Sequence, residues 1–146
     1  MSATSYKIWG VKKRLYSDDK SEIDLLYLLS DTFCSTHHHK NKINKFFILS
    51  GRVSIETEYG SMILMRGEES PEILPNTVHR FNVLEDSVMI ETAYVKKGKI
   101  SGNDIVRKTQ GGRYVKNQEV TEKELRKKGL LDSKKELGKI KERLTW

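Results

Sequence analysis

Residues 37–51, His-His-His-Lys-Asn-Lys-Ile-Asn-Lys-Phe-Phe-Ile-Leu-Ser-Gly, decide how this chain is read. Phe46, Phe47, Ile48 and Leu49 form an apolar run, Ser50-Gly51 punctuates it, and beyond it Val53 and Ile55 alternate with polar residues. That pattern predicts two strands across residues 45–56. On a strand, successive side chains point to opposite faces, so His37 and His39 share one face and His38 takes the other. Imidazoles two apart can both reach one ion at ~2.0–2.2 Å through ring nitrogen. The fourth histidine, His79, would complete a facial set of three from a neighbouring strand, leaving positions open for water or substrate. The competing reading of the triplet is a solvated polar loop beside Lys40, Asn41 and Lys42.

Outward from this stretch the chain continues in short strands. Glu22 to Leu29 reads as one, although its apolar run also tolerates a helix. Glu58-Tyr59-Gly60-Ser61 reads as a turn and Ser61 to Met65 as the strand after it. Pro71 and Pro75 bracket Glu72-Ile73-Leu74, and Phe81, Val83, Val88, Ile90 and Ala93 carry the last strands. Many short strands at this spacing predict an all-β barrel or sandwich.

After Gly112 the character changes. Thr121 with Glu124 forms a capping box for a short helix through Lys128 that Gly129 can end. Ser133 with Glu136 forms a second box, behind which Leu137, Ile140 and Leu144 fall on one helical face. The expected organisation is a barrel domain over residues 1–115 and a basic helical extension over residues 116–146.

The bulk properties bound the function. A chain of 146 residues suits one domain. A single cysteine, Cys34, excludes an intramolecular disulfide and suits a reducing compartment; it reads as a small half-buried strand residue, not a nucleophile. No apolar stretch approaches the ~20 residues of a membrane span. Met1 to Ser5 lacks a signal pattern, so a cytoplasmic location is expected. The net charge is +7, and the extension holds ten Lys/Arg against six Asp/Glu. Its neighbourhood offers only Tyr114 and Trp146 as aromatics, too sparse to stack nucleic-acid bases.

The spacing around the histidines resembles the cupin family, whose first motif runs His-x-His, three or four residues, Glu, six residues, Gly. Here that is His37, His39, four residues to Asn44, and six more to Gly51. The second motif, a Pro/Gly turn leading to a strand-opening His, resembles Leu74-Pro75-Asn76-Thr77-Val78-His79-Arg80-Phe81. Asn76 stands where the family has Gly, and Asn is the residue that best replaces Gly in a left-handed turn.

A further resemblance is to the C-terminal cupin domain of type II mannose-6-phosphate isomerase/guanylyltransferase proteins. It rests on Ile8-Trp9-Gly10, the His triplet, Ser50-Gly51, Pro75 to His79-Arg80, Gly102-Asn103-Asp104-Ile105-Val106-Arg107, and Gly112-Arg113, all in order. The resemblance implies a jelly-roll barrel and commonly a homodimer. It implies a divalent metal (Zn, Mn, Co or Fe) on His37, His39, Asn44 and His79, and a sugar phosphate interconverted between aldose and ketose. Arg80, Arg107 and Arg113 would then hold the phosphate, with Asp104, Glu91 or Glu69 as base.

Three departures bear on this. Asn44 replaces the family's ligand Glu. Ser35 occupies the slot of an upstream Gln ligand, which allows a set of His37, Asn44 and His79 with His39 turned away. Lys108-Thr109-Gln110 replaces an acidic run. Two other readings follow: three histidines without a carboxylate can hold Fe(II) for oxygen chemistry, and a non-enzymatic sugar-binding module could dock a partner through its basic extension.

Overall fold

The structure, a computed structural model, describes residues 3–130. In chain order its strands are β1 (Thr4–Lys7), β2 (Gly10–Ser17), β3 (Ser21–Leu28), β4 (Thr32–Phe33), β5 (His37–His39), β6 (Ile43–Ser50) and β7 (Arg52–Thr57). There follow β8 (Gly60–Met65), β9 (His79–Val83), β10 (Ser87–Tyr94), β11 (Ile105–Arg107), β12 (Gly112–Val115) and β13 (Gln118–Thr121). A single helix, α1 (Glu122–Lys127), comes last among the described residues. One sheet runs β1-β2-β3-β10-β6; the other runs β11-β5-β9-β4-β12-β13, with β7 on the second edge of β9 and β8 outside it. All pairings are antiparallel. This is an all-β barrel, one of the two architectures that the strand pattern allows, in the jelly-roll form that the resemblance implies.

The strands expected at residues 22–29 and 45–56 are present, but the latter two do not pair with each other. β6 pairs with β10 in the first sheet, whereas β7 pairs with β8 and β9 in the second. The chain crosses between sheets at Gly51, whose φ is 87°. A Cβ there would lie 2.1 Å from Ser87 Oγ and 2.5 Å from the Asp86 carbonyl oxygen. Only glycine meets both demands, the left-handed backbone and the close approach.

Alternation along each strand sorts the interior into layers. At one end Leu26 and Ile48 flank Met89 across the first sheet, and Val53 meets Val83 in the second. All five are nearly inaccessible to water. Two residues further along, Asp24 and Phe46 flank Glu91; two further again, Glu22 and Asn44 flank Ala93. The opposite wall there carries Phe81 and then His79. The barrel is therefore apolar at one end and polar at the other. Trp9, buried in the short link between β1 and β2, packs edge-on against Phe81 at 5.3 Å, between the two regions.

The C-terminal hairpin extends the barrel past residue 115. β13 pairs with β12 through a two-residue turn in which Lys116 and Asn117 have φ of 51° and 65°. The expected division at residues 115/116 falls at the tip of that hairpin. The first capped helix forms as read: Thr121 caps α1 by accepting from the Glu124 amide, and Leu125 is fully buried. Beyond Lys128, Gly129 adopts φ 66° and the Leu130 amide returns to the Leu125 carbonyl, a glycine stop. The second expected helix lies outside the described residues. Among the described residues no helix is long and apolar enough to cross a membrane.

The crossing at Gly51 yields a stability prediction. Gly51→Ala should destabilise by about 2–4 kcal/mol, adding a clash to the backbone strain, against about 1–2 kcal/mol for Gly67→Ala. Gly67 also has positive φ, 83°, but open space around its Cβ position. Urea midpoints at unchanged m-value would measure the difference; equal losses would show that the close approach is not limiting.

Candidate metal centre

Two strands, β5 and β9, and the Pro75 turn assemble the histidines. His37 on β5 lies directly opposite His79 on β9, so the two imidazoles leave the sheet on the same face. His39, two residues on, shares that face, and its carbonyl accepts from Asn76 in the Pro75 turn at 2.7 Å. Asn76 has φ 66°, the left-handed conformation expected at its position. His38 takes the opposite face, paired with Val106 of β11. The ring centroids of His37 and His79 are 4.6 Å apart, and those of His37 and His39 are 5.1 Å apart.

Each ring is fixed through its Nδ1. His37 Nδ1 lies 2.7 Å from the Ser35 carbonyl, His79 Nδ1 2.9 Å from the Thr77 carbonyl, and His39 Nδ1 2.9 Å from Asp104 Oδ1. Carbonyl and carboxylate oxygens only accept, so Nδ1 carries the proton in all three rings and Nε2 is left as a lone-pair donor. The ring nitrogens of the three residues lie within 4.8 Å of one another. A common ion at ~2.1 Å would hold them roughly 3.0–3.4 Å apart, so binding draws the widest pair together by up to about 1.4–1.8 Å through χ rotations. His79 Nε2 is buried and has no hydrogen-bond partner. A buried, unpartnered lone pair beside two other imidazoles is costly as it stands, and a divalent cation satisfies it.

Electrostatics agree with ligand duty. Burial, then the neighbouring His79, pushes His37 down to about 3, opposed by the hydrogen bond that its Nδ1 donates to the Ser35 carbonyl. Burial likewise lowers His79. Both rings are therefore neutral at physiological pH, the form that binds metal. Burial alone would raise Asp104, but the bonds from His39 and from the Lys42 and Asn41 amides outweigh it and hold the carboxylate below its usual value. Asp104 is thus an anionic brace behind His39, facing the ring nitrogen that points away from the cluster.

The cluster lies in the wall of a cavity of about 440 Å³ whose lining also includes Trp9, Leu26, Phe46, Phe81, Cys34 and Glu91. Of the three carboxylates considered as bases, only Glu91 lines it. Asp104 braces His39, and Glu69 pairs with Lys45 at 3.1 Å on an exposed surface. Asn44 is buried on β6, donates to Glu91 Oε2 at 2.9 Å, and leaves its Oδ1 without a partner. The alternative in which His39 turns away is corrected, because His39 belongs to the cluster and Ser35 instead contacts His37 Nδ1 at 3.0 Å.

Of the three arginines, Arg107 alone lines the cavity. Arg80 follows His79 on the strand and so faces outward, where it pairs with Glu56 and Glu119 and lies over the Phe33 ring. Arg113 sits on β12 opposite Thr32 and Val120 and is not part of the lining. Cys34 is buried more deeply than expected, between β4 and β5, and burial pushes its thiol up to about 12. It therefore remains protonated, consistent with a packing role. Lys7 and Lys12 line the cavity without having been singled out from sequence, beside Gln110 of the segment that replaces the acidic run. No motif marks them, because only closure of the sheet brings positions a hundred residues apart together.

Two outcomes follow. Asp104→Ala should weaken zinc binding by roughly 10–100-fold in a competition titration with a chromophoric chelator, through loss of the brace on His39. In metal-free protein, stability should hold above the unfolded-state histidine pKa of about 6.5 and fall as pH drops from there toward about 3, because the unfolded chain takes up the proton that His37 refuses. His37→Gln should flatten that part of the profile of thermal midpoint against pH; an unchanged slope would remove His37 from the cause.

No protein-family model matches the chain, and no curated protein matches it. Solved structures do. The chain resembles KdgF from Halomonas sp. at TM-score 0.55 and 17% identity, over 60% of this chain and 81% of that one. It resembles Streptomyces Pac13, a nucleoside dehydratase, at TM-score 0.62 and 10% identity, over 75% and 86%. It resembles oxalate decarboxylase from Bacillus subtilis at TM-score 0.58 and 17% identity, over 73% of this chain and 30% of that one. At such identities the likeness carries architecture and not chemistry, and no mannose-6-phosphate isomerase is among these neighbours. The fold is a double-stranded β-helix, and His37, His39 and His79 on it form a group that could hold a metal ion.

Proposed function

We propose that the protein is a metal-dependent cupin enzyme that interconverts the aldose and ketose forms of a small sugar phosphate. The observation that carries this reading is the set of three braced imidazoles in the wall of one cavity that also holds a carboxylate, Glu91. A volume of about 440 Å³ is in the range of small-molecule sites. The sugar-phosphate class comes from the sequence resemblance, and the cationic cavity lining is compatible with it.

In this reading His37, His39 and His79 hold the metal, which when bound supplies Lewis-acid polarisation of a substrate carbonyl and hydroxyl. Glu91 takes the proton from C2 and returns it to C1, while a proton moves between the two oxygens, so that the isomerisation balances. The Asn44 amide holds Glu91 Oε2, which leaves Oε1 for the substrate. Trp9, Phe46 and Phe81 provide an apolar wall that limits water and strengthens these contacts.

A second reading has its own support. The cluster contains no carboxylate, and three imidazole nitrogen donors suit Fe(II) and oxygen chemistry. The metal separates the two. Elemental analysis of full-length protein should find near-stoichiometric zinc, manganese or cobalt, lost in a His37→Ala/His79→Ala double variant, with interconversion of mannose 6-phosphate and fructose 6-phosphate. Glu91→Gln should lower kcat by roughly 10²–10⁴-fold with metal content unchanged. Iron with oxygen uptake would establish the second reading, and absence of metal after refolding with each ion would refute both.

A further inference from the structure

The cavity carries charge that neither the histidine cluster nor Glu91 uses. Lys7 closes β1, Lys12 lies on β2 and Arg107 closes β11, and all three line the cavity. Strand pairing explains the convergence. Arg107 is directly opposite His37 and shares its face, so the side chain starts beside that imidazole and extends to the exposed rim. Lys12 is opposite Ser5, two residues before Lys7, which puts both lysines on one face of the β1–β2 ribbon.

These cations interact with one another. Partial burial, then repulsion from Lys12 and Arg107, lowers the Lys7 pKa, with Glu122 opposing. The nearby anions are already engaged. Glu122 pairs with Arg126 at 2.8 Å, Glu91 accepts from Asn44, and Asp24 binds Arg14 at 2.6 Å as well as Lys12 at 3.3 Å. Neither Lys7 nor Arg107 forms an ion pair with another described residue. Like charges gathered at a partly desolvated rim repel one another, and a bound anion relieves that repulsion.

We propose that Lys7, Lys12 and Arg107 form an anion subsite at the cavity rim that takes the phosphoryl group of a small phosphate monoester, while the other end of the molecule reaches the histidine cluster. The second half of this statement rests on the function proposed above; the subsite itself does not. Donors from three strands converge on one space, which suits a tetrahedral group with three acceptor oxygens, whereas a planar carboxylate is fully served by one guanidinium fork. The assignment also replaces Arg80 and Arg113 by two lysines that carry no family landmark.

The test uses the full-length protein, zinc-loaded and metal-free, titrated calorimetrically with inorganic phosphate at low ionic strength. Saturable binding is expected, weakened about tenfold or more in Lys7→Ala/Arg107→Ala and on raising the salt, with zinc content and thermal midpoint unchanged. Arg66→Ala, on an exposed turn outside the cavity, should leave the Kd as it was. Glucose 6-phosphate should bind about tenfold or more tightly than glucose, and the double variant should lose that margin. No phosphate binding, binding indifferent to the double variant, or tighter binding of gluconate than of glucose 6-phosphate would overturn the subsite. A protein that binds phosphate at the rim yet takes up no metal keeps the subsite and loses the isomerase reading. A metal-loaded protein blind to phosphate does the reverse.

Discussion

The antiparallel pair between His37 and His79 is the contact on which the rest of the site depends. It fixes two imidazoles on one face, brings His39 in by strand alternation, and sets Arg107 beside His37 through the next strand. Without their Nδ1 partners the three rings, two buried and His37 half-buried, would each leave an unmet donor. The Ser35 and Thr77 carbonyls and the Asp104 carboxylate meet those donors and so fix the three rings. Asp104 is itself held by the Asn41 and Lys42 amides, so the brace is part of the backbone framework and not a loose side chain.

A barrel of this size seldom keeps ionised groups inside without reason. Asp24 is 3% exposed yet carries two cation partners, and Asn44, equally buried, grips Glu91 while one of its own oxygens goes unmet. Apolar residues in these places would make a more stable core. The apolar layers at the other end, around Met89, Ile48 and Val53, supply the burial that lets the polar end persist. Stability and site are thus divided along the barrel axis, with Trp9 and Phe81 between them.

Alternation also explains where the residue roles moved. Arg80 neighbours His79 on a strand and so cannot share its face. Its ordered contacts with Glu56, Glu119 and Phe33 stitch the outer surface of the sheet to the C-terminal hairpin. Glu91 reaches the cavity because it lies two residues from Met89 on the inward face of β10, in register with Asp24 and Phe46. Asn44 follows the same rule on β6, which explains why the two side chains meet.

Local chemistry determined much from sequence alone. The apolar alternation over residues 45–56 and the repeated turns pointed to an all-β barrel or sandwich. The His-x-His spacing required two imidazoles on one face, Asn76 could occupy a left-handed turn, and Thr121 with Glu124 could open a helix. These depend on neighbours a few residues away, where pleat and turn geometry leave few choices. The partnerships across the barrel were decided only by the tertiary structure: Asp104 behind His39, Asn44 on Glu91, and Lys7 with Lys12 beside Arg107. They depend on strand order and register between segments up to a hundred residues apart, and periodicity in a sequence states which face a residue takes but not what stands across from it.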